Sequence, residues 1–151
     1  MFDIKTIVVP TDFSKISFSA FEYARDMAEK MNAEIHLIHV MEKTPPLLNG
    51  QYSGTTEEEK LISMEKDLRS RLSETAETLT EDSNIRIIEV FRIGTDYEEI
   101  VDYSKEINGD LIVIATHGRT GIFHTLLGSV AEKVIRFSKC PVLVISPQEE
   151  E

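Results

Sequence analysis

Short apolar runs alternate along the chain with longer segments in which apolar residues recur every three or four positions. The runs predict buried strands, and the longer spacing predicts helices that turn one face to a core. The predicted strands are Ile4–Pro10, Glu34–Val40, Ile85–Ile93, Asp110–Thr116 and Pro141–Ser146. Because a helical segment separates each pair of consecutive strands, the pattern predicts an α/β domain with a parallel sheet and helices on both faces.

The helical segments carry identifiable start signals and apolar stripes. The residues that favour N-caps are Ser14 or Ser17 for the first helix, Thr55 or Thr56 for the second, and Ser129, with Glu132 as a capping-box partner, for the fourth. The stripe of the first helix is Phe18, Phe21, Ala24, Ala28 and Met31, and that of the third, over 96–107, is Tyr97, Ile100, Val101 and Ser104. Residues 43–54 carry Pro, Gly and Asn and predict a loop, either a mobile flap or a partner-facing insertion.

The stretch from Ile114 to Ser129 is the strongest candidate for a ligand site. It is patterned as the end of a strand, a loop containing three glycines, and the start of a helix that continues over 130–137. Such a turn brings unpaired backbone N–H groups and the positive end of a helix dipole to one place, which favours phosphate. Glycine there permits positive φ and a close approach of ligand to backbone.

Composition describes an ordinary globular protein. With 151 residues, 41% hydrophobic and 28% charged, the chain is long enough for one domain with a full core. The single cysteine, Cys140, excludes an internal disulfide and fits a reducing compartment. Because we find no apolar leader and no apolar run of membrane length, we expect a cytoplasmic protein with no membrane partner.

The formal net charge of −11 changes the expected partners. A surface this acidic repels the phosphate backbone of nucleic acids, so nucleic acid is not expected as a partner. An anionic small ligand would need local donors, which are the loop amides and Arg119.

The loop also carries a family resemblance. Ala115-x-x-Gly118, nine residues and Gly128-Ser129 resemble the universal stress protein motif G-x-x-G-x9-G-[ST]. The segments 8–14 and 140–145 look like that family's first and last strands. The resemblance covers essentially the whole chain, with residues 1–147 as a nucleotide-binding domain and 148–151 as an acidic tail. Alanine replaces the motif's first glycine, which weakens binding if φ is positive or phosphate lies against residue 115, and costs little if φ is negative.

The resemblance implies a single Rossmann-like domain with strand order 3-2-1-4-5. In such sheets ligands bind beyond the carboxyl ends of the strands where the order reverses, here between the first and fourth strands. Pro10, Thr11 and Asp12 lie at one strand end, and the loop from Ala115 to Gly118 lies at the other. Two distant stretches are therefore expected to meet at one crevice.

The nucleoside end of the ligand is assigned to the first two strands. Asp12 is either a helix-entry cap or an acceptor for ribose hydroxyls or the base, and the resemblance favours the ligand role. The resemblance also places the main chain of Val40 beside the adenine, with Pro10 and Thr11 as flanking positions.

The phosphate end is assigned to the loop and the following helix. The residues that match phosphate-binding positions are Gly118, Gly128, Ser129 and Val130, and Ile114 and Ala115 complete the predicted set. Arg119 and Thr120 are able to reach β- or γ-phosphate oxygens, although an exposed Arg119 without such contacts is an alternative.

The four histidines invite a metal or general-base hypothesis. His117 and His124 are seven residues apart with no Cys or Asp cluster at ligand spacing, and His36 and His39 are poorly spaced for a metal. We therefore predict all four to be structural or solvent-facing, with neither a catalytic residue nor a metal ligand among them.

Three functions follow as hypotheses. The leading one is an ATP-binding regulatory or stress-response protein (ADP and AMP are alternatives), with Mg²⁺ held mainly by phosphates. The second is a dimeric interaction protein of the same fold that does not bind nucleotide. The third is an enzyme, but adenylation signatures such as S-G-G-x-D-S are absent, so at most slow ATP hydrolysis is expected.

Because the apolar strand 142–145 would lie at a sheet edge, and the family pairs there, a homodimer is predicted.

Overall fold

The structure, a computed structural model, describes residues 3–42, 54, 56–117 and 127–146. Nine elements alternate along the described chain. They are β1 (Thr6–Pro10), α1 (Lys15–Met31), β2 (Glu34–Met41), α2 (Glu57–Thr80), β3 (Ile87–Ile93), α3 (Asp96–Glu106), β4 (Leu111–Ala115), α4 (Ser129–Phe137) and β5 (Val142–Ile145). The predicted loop over 43–54 lies, except for residue 54, outside the described residues.

The five strands form one parallel sheet in the order β3-β2-β1-β4-β5, which confirms the prediction. β1 is central and pairs with β2 from Thr6 opposite Glu34 to Pro10 opposite Ile38. On its other side it pairs with β4, where Ile7 lies opposite Leu111. The order of the strands therefore reverses between β1 and β4, and their carboxyl ends lie side by side.

Each face of the sheet carries its own hydrophobic cluster. One lies against α1 and α2 and contains Phe21, Leu72 and Val113, all fully or almost fully buried. The other lies against α3 and α4 and contains Ile112 and Val134. Strands buried on both faces explain the nearly continuous apolar runs of the sequence.

The observed helix faces differ in detail from the predicted stripes. In α1 the buried residues are Ser17, Ala20, Phe21, Ala24 and Ala28, whereas the predicted Met31 is 40% exposed. In α3, Tyr103 is buried and was not predicted to be. Of the alternative N-caps, the structure selects Ser14, whose side chain accepts from the Ser17 N–H, and Thr56, whose side chain accepts from the Glu59 N–H.

No helix within the described ranges combines the length and the apolar character needed to cross a bilayer.

Candidate functional site

The carboxyl end of β1 is held by a dense set of hydrogen bonds. The Thr11 N–H donates to the Ile38 carbonyl at 2.8 Å, which continues the β1–β2 pairing beyond Pro10. The Thr11 hydroxyl lies 3.1 Å from that of Ser17 and accepts from the Phe13 N–H at 3.0 Å. Thr11 is consequently buried and is tied to both β2 and α1.

Asp12 follows this anchored residue and is half-buried. Its Oδ1 accepts from the Ser14 N–H at 3.0 Å, an Asx turn that shapes the entry to α1. The cap itself is Ser14. The helix-entry interpretation of Asp12 is therefore correct in part, because its side chain shapes the entry to α1 while Ser14 is the cap.

The carboxyl end of β4 and the start of α4 are held together by a backbone hydrogen bond. The Thr116 N–H donates to the Ile145 carbonyl at 2.9 Å, and the Thr116 carbonyl accepts from the Gly128 N–H at 2.6 Å. A Cβ on residue 128 would lie 2.6 Å from that same carbonyl oxygen. The close backbone contact thus requires glycine at 128, although the φ of −70° is open to any residue.

The prediction of Ser129 as the N-cap was wrong. Gly128 is the N-cap of α4, with no side-chain hydrogen bond at the cap, and Ser129 is the first helical residue and exposed. Glu132, the expected capping-box partner, instead forms an ion pair with Arg136 one turn later. The Ser129 hydroxyl is thus not used to cap α4.

Ala115 occupies the last position of β4, opposite Ile145 of β5. It is not among the described non-glycine residues with positive φ. Its methyl is 7% exposed and belongs to the hydrophobic cluster on the α1 side of the sheet. Because residue 115 does not have a positive φ, alanine costs little backbone strain there.

The structure brings most of the predicted set to one end of the sheet. Pro10, Thr11 and Asp12 end β1, Ile114 and Ala115 end β4, and Gly128, Ser129 and Val130 begin α4. Val40 lies on β2, two residues beyond the partner of Pro10. Gly118 and Arg119, with Thr120 and His124, lie outside the described residues.

His36 and His39 are both buried, and each ring forms a hydrogen bond within the protein. His39 Nδ1 lies 2.8 Å from the carbonyl oxygen of Thr11. Alternation along β2 places the two rings on opposite faces of the sheet. Sequence reasoning did not connect His39 with the end of β1, because only the sheet register reveals that contact.

The other ring, that of His36, belongs to a polar cluster between β2 and α3. Its Nε2 lies 2.9 Å from Glu34 Oε1, and its Nδ1 lies 2.6 Å from the Tyr103 hydroxyl. Burial raises the pKa of Tyr103 above its ordinary value, and the nearby Arg92 guanidinium opposes that shift. The phenol therefore stays protonated at neutral pH and keeps a hydrogen that it is able to donate to His36 Nδ1.

Replacing Tyr103 with phenylalanine is expected to lower the free energy of unfolding by about 1–3 kcal/mol, because it leaves His36 Nδ1 buried without its partner. Urea denaturation measures this loss. Tyr23→Phe is the matched control, since Tyr23 is 50% exposed. Equal stability of the two variants would show that the hydrogen bond between Tyr103 and His36 does not stabilise the fold.

Within the described part of the chain, no three His, Cys, Asp or Glu side chains are grouped so that they could hold a metal ion.

The five-stranded parallel sheet, the reversal of its order between β1 and β4, and the contact of Gly128 with the end of β4 define a Rossmann-like α/β domain. The universal stress protein family model matches residues 3–146 of the sequence. The chain belongs to the universal stress protein family, as the loop motif predicted.

Relatives and solved structures agree with this family. Universal stress protein MJ0531 of Methanocaldococcus jannaschii is 33% identical over 150 residues, covering 97% of this chain and 85% of the relative. The solved structure of MJ0577, from the same organism, matches with a TM-score of 0.73 at 29% identity, over 98% of this chain and 99% of that one. A universal stress protein solved in complex with cAMP matches with a TM-score of 0.71 at 24% identity, over 95% and 98% of the two chains. That last likeness is one of fold.

Proposed function

We propose that the protein is an ATP-binding regulator of the stress response, in which nucleotide occupancy of the β1–β4 crevice alters conformation or partner choice. The observation that carries the proposal is the contact between the Gly128 N–H and the Thr116 carbonyl. It brings the start of α4 against the end of β4, next to β1. In that position the first amides of α4 would be available to bind a phosphate.

The amides of Ser129 and Val130 supply donors there. The first intrahelical bond of this turn runs from the Glu132 N–H to the Gly128 carbonyl, so the preceding N–H groups have no helical acceptor. Helix N-terminal amides and the dipole together favour an anion. Gly118 and Arg119 are proposed to complete the phosphate site, with Mg²⁺ held mainly by phosphate oxygens.

The nucleoside end is proposed to lie against the ends of β1 and β2. Asp12 would accept from ribose hydroxyls or the base, and the main chain of Val40 would lie beside the adenine. A carboxylate repels phosphate, which argues for this orientation of the ligand and against the reverse.

Isothermal titration of the protein with ATP and Mg²⁺ tests the proposal. Binding at micromolar to millimolar ATP is expected, and parallel titrations with ADP, AMP and cAMP rank the nucleotides. The absence of heat with every nucleotide at millimolar concentration would remove the proposal and favour the interaction protein that does not bind nucleotide. Rapid, multiple-turnover hydrolysis of ATP by purified protein, beyond the slow hydrolysis expected at most, would contradict the assignment as a regulator.

We further propose a homodimer that forms through β5. Within the described sheet this strand pairs only with β4, and Val142, Leu143 and Val144 are half-buried in the single chain. An apolar edge strand favours pairing with another strand. Light scattering at micromolar concentration is expected to give twice the mass of the chain, and a monomeric mass would contradict the proposal.

The proposed setting is the cytoplasm, with neither nucleic acid nor membrane as a partner. The net charge of −11 supports this for nucleic acid, since an acidic surface repels a phosphate backbone. Retention on DNA or RNA at physiological salt would contradict it.

Replacing Ala115 with glycine is expected to leave ATP affinity unchanged within about twofold, because the Ala115 methyl packs into the hydrophobic core and its backbone is extended. The same change is expected to lower the free energy of unfolding by about 1 kcal/mol through lost burial and added backbone freedom. Titration and urea denaturation of one preparation measure both. A tenfold gain in affinity would instead show that the methyl obstructs the phosphate.

A further inference from the structure

His39 is placed to control the geometry of the β1 end, although it lies on a different strand. Its ring is 8% exposed, and Nδ1 lies 2.8 Å from the Thr11 carbonyl oxygen. A carbonyl oxygen only accepts, so Nδ1 carries the proton. This hydrogen bond runs from β2 to the residue that directly precedes Asp12.

The Thr11 carbonyl needs a donor from a side chain because the strand ladder has ended. β1 ends at Pro10, and the last main-chain bond to β2 uses the Thr11 N–H. Thr11 is only 6% exposed, so its carbonyl would lose water without gaining a partner. His39 supplies that partner and holds the peptide between Thr11 and Asp12 in one orientation.

The imidazole is itself fixed by aromatic neighbours. The Phe13 ring lies 4.4 Å from the His39 ring, and the Phe91 ring lies 5.9 Å from it on the β3 side. The Arg71 guanidinium covers the Phe13 ring at 4.6 Å. Packing against these rings therefore holds the His39 Nδ1–H towards the Thr11 carbonyl oxygen.

Phe13 has a φ of 67°, in the left-handed region that a bulky L residue rarely adopts. Its N–H donates to the Thr11 hydroxyl, and its ring packs on His39. The chain thus bends sharply immediately after Asp12, and contacts on both sides of that carboxylate maintain the bend. Backbone conformations of this kind persist only where the surroundings determine them, and they cluster at ligand sites.

From these contacts we propose that His39 is a positioning residue for the nucleoside end of the ligand: its Nδ1–H holds the Thr11 carbonyl and so fixes the direction of Asp12. This inference rests on the proposed nucleotide function. It assigns His39 no contact with the ligand, and it predicts that loss of the donor affects recognition of the nucleoside and not of the phosphates.

Two substitutions test the hydrogen-bond donor and the aromatic ring of His39 separately. His39→Phe keeps an aromatic ring against Phe13 and removes the donor. His39→Asn removes the ring but places an amide N–H close to the position of Nδ1. The probes are adenosine and inorganic tripolyphosphate with Mg²⁺, each titrated into wild-type protein and both variants, after thermal unfolding has verified that each variant is folded.

His39→Phe is expected to weaken adenosine binding about tenfold, because a misdirected Asp12 would lose a hydrogen bond to the nucleoside, and to leave tripolyphosphate binding within about twofold. His39→Asn is expected to retain most of the adenosine affinity. Unchanged adenosine binding by His39→Phe, or an equal loss for both probes, would overturn the inference and leave the proposed function intact. Failure of the wild-type protein to bind either probe would instead remove the proposed function.

The wild-type protein provides a readout that needs neither ligand nor variant. Long-range ¹H–¹⁵N correlation of the imidazole reports which ring nitrogen carries the proton, and the Nδ1–H form is expected for His39. Protonation of neutral His39 at Nε2 alone would overturn the inference even if His39→Phe did not fold.

Discussion

Gly128→Ala is expected to weaken ATP binding by about 10- to 100-fold, equivalent to about 1.4–2.8 kcal/mol of binding free energy, and to destabilise the fold. The added Cβ would lie 2.6 Å from the Thr116 carbonyl oxygen and 3.3 Å from the His117 Cα. Both are backbone atoms at the end of a buried strand, so the start of α4 must move away. That movement breaks the Gly128 N–H bond to Thr116 and shifts the amides proposed to bind phosphate.

The cost to stability is expected to be about 1–3 kcal/mol, as for other insertions of a methyl group into a packed site. Conformational strain adds nothing, since the φ of −70° and ψ of 158° at Gly128 suit alanine. Isothermal titration and urea denaturation measure the two effects separately.

Gly94→Ala is the matched control. A Cβ there would lie 2.6 Å from Oε1, 2.8 Å from Cγ and 3.0 Å from Cδ of Glu99. All three are atoms of one side chain that is able to change rotamer, whereas the contacts at Gly128 are with backbone atoms. Wild-type ATP affinity is expected for Gly94→Ala. Equal losses in the two variants would show that the effect at Gly128 is not specific to the contact between Gly128 and Thr116.

The strands and the point where their order reverses were predictable from the sequence because they depend on patterns that extend over many residues. Apolar runs defined the strands to within two residues at each end, and the motif spacing located the start of α4 at Ser129. The family resemblance then supplied the order of the strands, which no local pattern contains. Each of these signals is averaged over several positions, so an error at one residue does not change the result.

Single-residue roles were less predictable, since they are decided by contacts between distant segments. Gly128 and Ser129 are neighbours that both favour an N-cap, and only the Gly128 N–H bond to Thr116 selects the glycine. Met31 continued the periodic stripe of α1, yet it is 40% exposed. The contact of His39 with Thr11 depends on the register between β1 and β2, which the sequence pattern leaves undetermined.

The second large effect is expected for Asp12→Asn, a change that removes the charge and keeps the Asx turn. The asparagine Oδ1 is still able to accept from the Ser14 N–H, so the entry to α1 is expected to be retained. A hydrogen bond from a ribose hydroxyl to a carboxylate contributes about 1.5–3 kcal/mol, so adenosine affinity should fall roughly 10- to 100-fold. The stability of the fold should change little.

The same substitution is expected to act in the opposite direction on the phosphates. Removing one negative charge near the crevice lowers repulsion, so inorganic tripolyphosphate with Mg²⁺ should bind as well as to wild type or slightly better. Asp82→Asn is the control, because Asp82 lines a pocket at the amino ends of the strands, away from the proposed site, and has a φ of 60°, which asparagine tolerates. Asp82→Asn should affect neither probe. If Asp12→Asn weakened tripolyphosphate binding and spared adenosine, the ligand would lie in the reverse orientation, with its phosphates towards β1.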